Sequence, residues 1–343
     1  MLDTRIIPRF RPARWLPGGH IQTIVGAIWP SRRTRVRSHQ HVVPLPDGDA
    51  VVIHDACPAA WQPGQRIALL VHGLAGSHAS PYVHRAAQKL VERGIRAVSM
   101  DLRGAGAGAH LARKSYHSAL SEDLRAVVEY LDKHFSGSPV TGVGFSLGGN
   151  LVLKLLVDLG DAVCGGLDSA MAVCPPINLA LASNGLRRFF NRFYDKHFVQ
   201  HLLKQLRNRS RLRTDIAIAP FPRQPRGLRE LDEFYTAPVA GFRSVEEYYE
   251  VASVNNRIDQ ITRPTWIVAA VDDPIVPVSP FKELPEHPSV KVTLTQHGGH
   301  LGYLGQRGTD PDRHWIDWRI VDWVLALPSK ATGSVANLAE AGS

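Results

Sequence analysis

Val140-Thr141-Gly142-Val143-Gly144-Phe145-Ser146-Leu147-Gly148-Gly149-Asn150 carries an apolar, β-branched run through G-x-S-x-G into Leu151-Val152-Leu153-Lys154-Leu155-Leu156-Val157, a segment of helical character. Strand, sharp turn and helix in that order give the pentapeptide its meaning, because the turn lifts the serine hydroxyl above the end of a sheet. Gly144 and Gly148 leave the space that the strand and helix backbones need at such an elbow. The helix beginning past Ser146 aims the free N–H groups of its first turn at whatever the serine attacks. Alone, the pentapeptide is unspecific, since glycine and serine are common in loops. It gains weight only if a base, an acid and oxyanion donors occur elsewhere.

Working outward, the rhythm is strand then helix. Val36 to Leu45 and Ala50 to Ala56 read as two strands joined by Pro46-Asp47-Gly48-Asp49, whose Asp-Gly makes an antiparallel turn. Arg66 to Val71 is a short apolar run of the kind covered on both faces, and it ends in His72-Gly73-Leu74-Ala75-Gly76-Ser77. A helix over Tyr82 to Arg93, a strand over Ile95 to Met100 and a helix capped by Ser121 precede the elbow. Gly165 to Cys174 is the next strand. The alternation then stops from Asn178 to Arg257, which reads as basic, aromatic, amphipathic helix: Leu186, Phe189, Phe190, Phe193, His197 or Phe198, and then Leu202, Leu203 and Leu206 recur at spacings of three and four. It resumes with strands at Arg263 to Val271 and Val290 to Leu294 and a helix over Asp317 to Leu327. The expected organisation is an N-terminal extension (1–35), an α/β core (36–177 and 258–328), a helical cap insertion (178–257) and a flexible tail (329–343).

The 343 residues, 44% of them hydrophobic, suffice for one large α/β domain with an insertion. No apolar run reaches membrane-spanning length, and Met1 to Gly19 lacks a secretory core. Cys57, Cys164 and Cys174 read as small buried hydrophobes in a reducing compartment, and the expected location is cytoplasmic. The net charge of +9 is uneven: residues 1–37 and 187–229 together carry +17, leaving about −8 elsewhere. With no zinc-finger, RNP-like or basic-zipper pattern, nucleic acid is not an expected partner. A basic cap in peripheral contact with an anionic membrane, at its inner face, is.

In an α/β sheet the reactive residues sit past the C-terminal ends of strands. Asp272-Asp273-Pro274 follows one such end and His297-Gly298-Gly299-His300 another, so the chain order is Ser, Asp, His, as in α/β-hydrolases. A serine hydroxyl needs an imidazole to take its proton, and the imidazole a carboxylate to hold its tautomer. Asp273 is favoured over Asp272 because the proline behind it fixes the backbone that aims it. His300 is favoured over His297 because it lies beyond the Gly298-Gly299 pair. The oxyanion donors are expected to be the backbone N–H groups of Leu147 and Leu74, with His72 organising its loop. Gly104 to Ala109 formally fits G-x-G-x-x-A but follows an internal strand and opens into no apolar helix, which argues against a dinucleotide. His39 and His41, like His297 and His300, form no recognised zinc set.

These features together resemble the YheT-like, or AB-hydrolase-4, branch of the α/β-hydrolase superfamily, over roughly residues 10–327. The residues that carry the resemblance are Gly19-His20-Ile21-Gln22-Thr23, the His72 loop, Arg103-Gly104 followed by Ser115-Tyr116-His117-Ser118, the elbow, Tyr248-Tyr249, Asp272-Asp273-Pro274 and His297-Gly298-Gly299-His300. The resemblance implies a mostly parallel sheet with helices on both faces and a helical cap. It also implies a Ser146, Asp273, His300 triad, no cofactor and no metal, and hydrolysis of short- to medium-chain acyl esters as a serine esterase. The expected partner is a small acyl ester or lipid. A phospholipase or thioesterase using the same triad, or a membrane-associating module with weak or no catalysis, is the alternative.

Overall fold

A computed structural model describes residues 8–29, 36–213, 215, 221–308 and 310–328. The expected tail and parts of the expected N-terminal extension lie outside these residues. Strands β3 (Ile67–Val71), β4 (Arg96–Asp101), β5 (Val140–Phe145) and β7 (Thr265–Ala270) are buried along their whole length. That is the solution for near-continuous apolar strands, which must be covered on both faces. With β1 (His39–Pro44), β2 (Ala50–Ala56), β6 (Leu167–Val173) and β8 (Val290–Thr295) they form one sheet of eight, in the order β1-β2-β4-β3-β5-β6-β7-β8. β2 is antiparallel to both neighbours and every other pairing is parallel.

Helix α1 (Gly19–Ile28) precedes the sheet. On one face, α2 (Pro81–Glu92) packs Val83, Ala86 and Leu90 against Ile316, Ile320 and Val324 of the last helix. On the other, α3 (Glu122–His134) buries Leu124, Val127, Val128 and Leu131 beside α4 (Leu147–Leu159). Every residue of α4 except Asp158 is buried, as expected of a mostly apolar helix closed in on every side; its buried Asn150 and Lys154 bond Ala252 O and Asp158. Ser121 precedes α3 but makes no capping bond; its hydroxyl donates to Asp158 Oδ2 at 2.8 Å instead. Cys164 and Cys174 are buried as expected, whereas Cys57 is exposed just beyond the end of β2.

Between β6 and β7 the chain forms only helical pieces: α5 (Leu179–Leu186), a 3₁₀ turn (Phe189–Asn191), α6 (Arg192–Leu212), α7 (Leu228–Leu231), a π turn (Asp232–Thr236), α8 (Ala237–Val239) and α9 (Val245–Ala252). These build a helical cap. The short α10 (Ser279–Lys282) and the closing α11 (Trp315–Ala326) complete the chain. The periodicity within the cap does not mark a single buried face. Leu186, Leu203 and Leu206 are buried, but Phe189, Phe190 and Phe193 are exposed. The 3₁₀ turn breaks the helix after α5, so residues on its two sides no longer share one stripe.

The guanidinium of Arg103, just past β4, ties the β1–β2 turn to α3. It donates to Asp47 (2.6 Å), Asp49 (3.0 Å) and Asp123 (2.6 and 2.9 Å). Arg103, Asp49 and Asp123 are all buried, and removing one partner from such a cluster leaves uncompensated charge. Arg103→Leu is therefore expected to lower unfolding free energy by about 3–5 kcal/mol in urea denaturation; a loss below 1 kcal/mol would show that the aspartates re-pair with water.

Candidate active site

The parallel strands deliver their C-terminal ends to one edge. Ser146 stands between β5 and α4 with φ 52° and ψ −121°, a backbone conformation that costs a non-glycine residue about 1–3 kcal/mol. Close approach at the elbow imposes it: a Cβ on Gly148 would lie 2.3 Å from Val71 O, in the neighbouring strand. The amide of Ser146 donates to Val173 O at 2.8 Å, tying the elbow to β6 as well.

His300, past β8, has Nε2 2.9 Å from Ser146 Oγ and Nδ1 2.8 Å from Asp273 Oδ2. A carboxylate only accepts, so Nδ1 carries the proton and Nε2 is left to accept from the serine. Asp273 follows β7, and its other oxygen accepts from the amides of Ile275 (2.8 Å) and Val276 (2.9 Å). The adjacent Asp272 turns the other way. It accepts from Gly299 N at 2.9 Å and lies 3.3 Å from Nδ1 of the half-exposed His297. Ser146, His300 and Asp273 are thus in one hydrogen-bonded line, and Asp272 and His297 brace the loop that carries His300.

Leu74 and Leu147 both line the cavity in front of Ser146. The Leu74 loop is held on both sides, by Gly73 N donating to Tyr82 Oη at 2.9 Å and Ala75 N to Tyr116 Oη at 2.7 Å. His72 accepts from Leu102 N at 3.1 Å and donates to Gly73 O at 2.7 Å, and burial lowers its pKa, so it stays neutral and structural. Below this loop the Asp101 carboxylate takes four donors: His54 Nε2 (2.9 Å), His78 Nδ1 (2.9 Å), His78 N (2.7 Å) and Ala107 N (2.9 Å). Gly106–Gly108, the glycines that mimic a dinucleotide motif, form a 3₁₀ turn packed against Asp101.

Two supports escaped the sequence reading, one from α1 and one from the residue after β6. Thr23 Oγ1, on α1, accepts the His300 amide at 2.8 Å, across 277 residues of chain. Gly19, at the start of α1, sits so close to the loop after β7 that a Cβ there would be 1.6 Å from Asp272 O. The signal was Gly19-His20-Ile21-Gln22-Thr23 itself, a glycine beside polar residues on a helix. Its partner could not be read without the fold. Cys174 is the other: its thiol lies 3.6 Å from Tyr303 Oη beneath the aspartate–histidine pair. Burial pushes its pKa up, so it packs as a neutral thiol and not as a thiolate ligand.

Ser146 opens on two spaces. A chamber of about 120 Å³ runs under the cap, walled by Leu74, Leu179, Leu186, Phe198 and Leu202. A groove of about 360 Å³ runs between α1 and the start of α6, and Ser146 and His300 also line it. A hydroxyl, an imidazole and a carboxylate in line, beside an apolar chamber, can carry acyl transfer.

The model of the serine aminopeptidase S33 family matches residues 62–300, a span that includes Ser146, Asp273 and His300. The YheT protein of Escherichia coli (strain K12) is 32% identical over 329 residues, 92% of each chain. The chain belongs to the YheT-like branch of the α/β-hydrolase superfamily. It is a serine hydrolase. Phospholipase ABHD3 of Mus musculus is 29% identical over 239 residues, covering 69% of this chain and 58% of that one. Among solved structures, the Pyrococcus furiosus esterase PF2001 superposes with a TM-score of 0.55 at 14% identity, over 92% of this chain and 97% of that one, and so shares the fold.

The far end of the chamber is polar. Asp232, in the π turn, lies 2.9 Å from Tyr249 Oη, and burial pushes its pKa up from 3.8 to about 7. A carboxyl whose folded pKa is raised stabilises the fold below its unfolded pKa and loses that contribution as pH rises through about 7. Asp232→Asn is therefore expected to gain on the wild type by roughly 1–4 kcal/mol between pH 4 and pH 8, measured by denaturation. A stability difference independent of pH would place the Asp232 pKa at its ordinary value.

Proposed function

We propose that the protein hydrolyses carboxylic esters of short- to medium-chain acids, with Ser146 as nucleophile, His300 as general base and acid, and Asp273 as the residue that orients and charge-compensates His300. The observation that carries this reading is the hydrogen-bonded line Asp273–His300–Ser146 at the meeting point of an apolar chamber and an open groove. Ser146 Oγ attacks the ester carbonyl as its proton passes to His300 Nε2. The oxyanion is held by the N–H groups of Leu74 and Leu147. His300 returns the proton to the leaving alcohol, then takes one from water, whose hydroxyl releases the acid from the acyl-enzyme. No step calls for a cofactor or metal.

The size of the two spaces supports an assignment of the substrate's halves. A void of about 150 Å³ takes a benzene ring, so the slightly smaller chamber of about 120 Å³ suits a short acyl chain. The larger groove suits the alcohol part. The groove's apolar wall also favours a lipid alcohol, the second reading, in line with the phospholipase name of the mouse relative. The cap at 178–257 is, in this proposal, the element that sets acyl length. The three free cysteines, one of them exposed, support a reducing cytoplasmic setting.

Hydrolysis of 4-nitrophenyl esters from acetate to palmitate tests the reading, with aminoacyl 4-nitroanilides beside them. Turnover is expected to peak at the shorter chains, to fall at least about 10³-fold in Ser146→Ala, and to be weak on the anilides. No serine-dependent ester turnover by the folded protein would leave a binding module in its place. Thr23→Val, which removes the acceptor of the His300 amide, is expected to lower kcat about 10- to 100-fold with KM little changed. An unaltered kcat would show that the loop holds His300 without α1.

A further inference from the structure

Helix α1 is inside out. Its buried residues include Gln22 and Thr23, while Ile21, Ile24 and Ile28 are 42, 43 and 74% exposed. The spacing i, i+3, i+7 puts the three isoleucines on one face. The inward polar side chains are satisfied: Gln22 bonds the amide and carbonyl of Leu304, and Thr23 bonds Gly19 O and the His300 amide. The outward apolar face has no such account. A second exposed apolar group comes from far along the chain, where Phe189, Phe190 and Phe193 are 78, 79 and 54% exposed.

The two groups meet. His20, on α1, stacks on Tyr194 of α6 at 5.7 Å, with Nδ1 3.2 Å from the tyrosine Oη. Ile24 and Ile28 from one side and Phe193 from the other line the groove that reaches Ser146 and His300. Phe189 and Phe190 stand next to it in chain, ring to ring at 5.4 Å. The same stretch carries Arg188, Arg192 and Lys196, all exposed and none in an ion pair among the described residues. From Arg187 to Arg213 the one acid is Asp195, which is buried and accepts the Leu228 amide.

Single exposed apolar residues need no explanation, but a contiguous group rimmed by cations around an active-site mouth does. We infer that the outer face of α1 and the Phe189–Lys196 corner dock on an anionic phospholipid surface, with the aromatic and isoleucine side chains among the acyl chains and the arginines and lysine at the headgroups. The unpaired cations select this occupant: a second copy would set Arg188, Arg192 and Lys196 against their own equivalents across a two-fold axis, whereas anionic headgroups neutralise them. The groove then opens into the lipid, so a substrate can pass to Ser146 without crossing water. This inference deepens the esterase reading by naming the surface from which substrate comes.

The test is co-sedimentation with vesicles of phosphatidylcholine alone or with phosphatidylserine added, using the full chain with Ser146→Ala so that binding is read without turnover. Binding to the serine-lipid vesicles is expected, weakened by salt, and reduced at least about tenfold both in Phe189→Ser/Phe190→Ser and in Arg188→Glu/Lys196→Glu. In the Ser146 background, Phe189→Ser/Phe190→Ser is expected to keep its kcat/KM on a soluble 4-nitrophenyl ester within about twofold, which separates loss of docking from loss of fold. Equal binding to both vesicles, no binding to either, or binding indifferent to both double variants overturns the inference. So does a dimer in size-exclusion chromatography that the phenylalanine variant dissolves, since the patch would then cover a second copy. Vesicle binding without ester turnover would sink the catalytic proposal and leave the docking surface standing.

Discussion

The backbone of Ser146 is the constraint on which the rest depends. A parallel strand must turn into a helix within one residue, and the helix must lie so near the next strand that only hydrogen fits on Gly148 against Val71 O. This forces Ser146 to a positive φ and holds its hydroxyl clear of the sheet. The strain is affordable because α4 is buried nearly end to end, so leaving the elbow would expose a whole apolar helix. Stability of the core and placement of the serine hydroxyl are one fact seen from two sides.

Everything else at the site is a matter of holding separate loops in register with that hydroxyl. The Asp273 carboxylate is fixed by two amides of its own turn, and His300 by Asp273, by the Asp272–Gly299 bond behind it and by Thr23. The Leu74 loop is pinned by two tyrosine hydroxyls and rests on Asp101. These are short bonds in buried surroundings, where an unmade hydrogen bond is expensive. The arrangement is therefore set before substrate arrives.

α1 links this site to the outside. Its polar inner face belongs to the His300 loop and its apolar outer face to the groove. One helix thus carries both a support of the His300 loop and the proposed lipid contact. A helix of ten residues has little stability alone, and here the side-chain bonds of Gln22 and Thr23 add to the packing of Val25 against Ala13, Leu16 and Leu304.

The sheet was legible because buried parallel strands leave short apolar runs and glycine turns, patterns set by cover on both faces of a strand and by the φ of glycine. The chain order of Ser146, Asp273 and His300, and the preference for the aspartate that precedes Pro274, came from the same local rules. Ser121 misled because its hydroxyl found a nearer acceptor on α4, and Phe189, Phe190 and Phe193 because a 3₁₀ turn redirects a stripe that periodicity reads as continuous. By itself the sequence determined the elements, their order and the choice of Ser146, Asp273 and His300 as the candidate triad, since these follow from neighbours in the chain. Only the tertiary structure brought those three side chains into one line, and decided that Thr23 supports the His300 loop, that the cap leaves a small chamber and a larger groove, and that α1 turns its isoleucines outward. Each of those depends on contacts between residues tens to hundreds of positions apart, which no local pattern encodes.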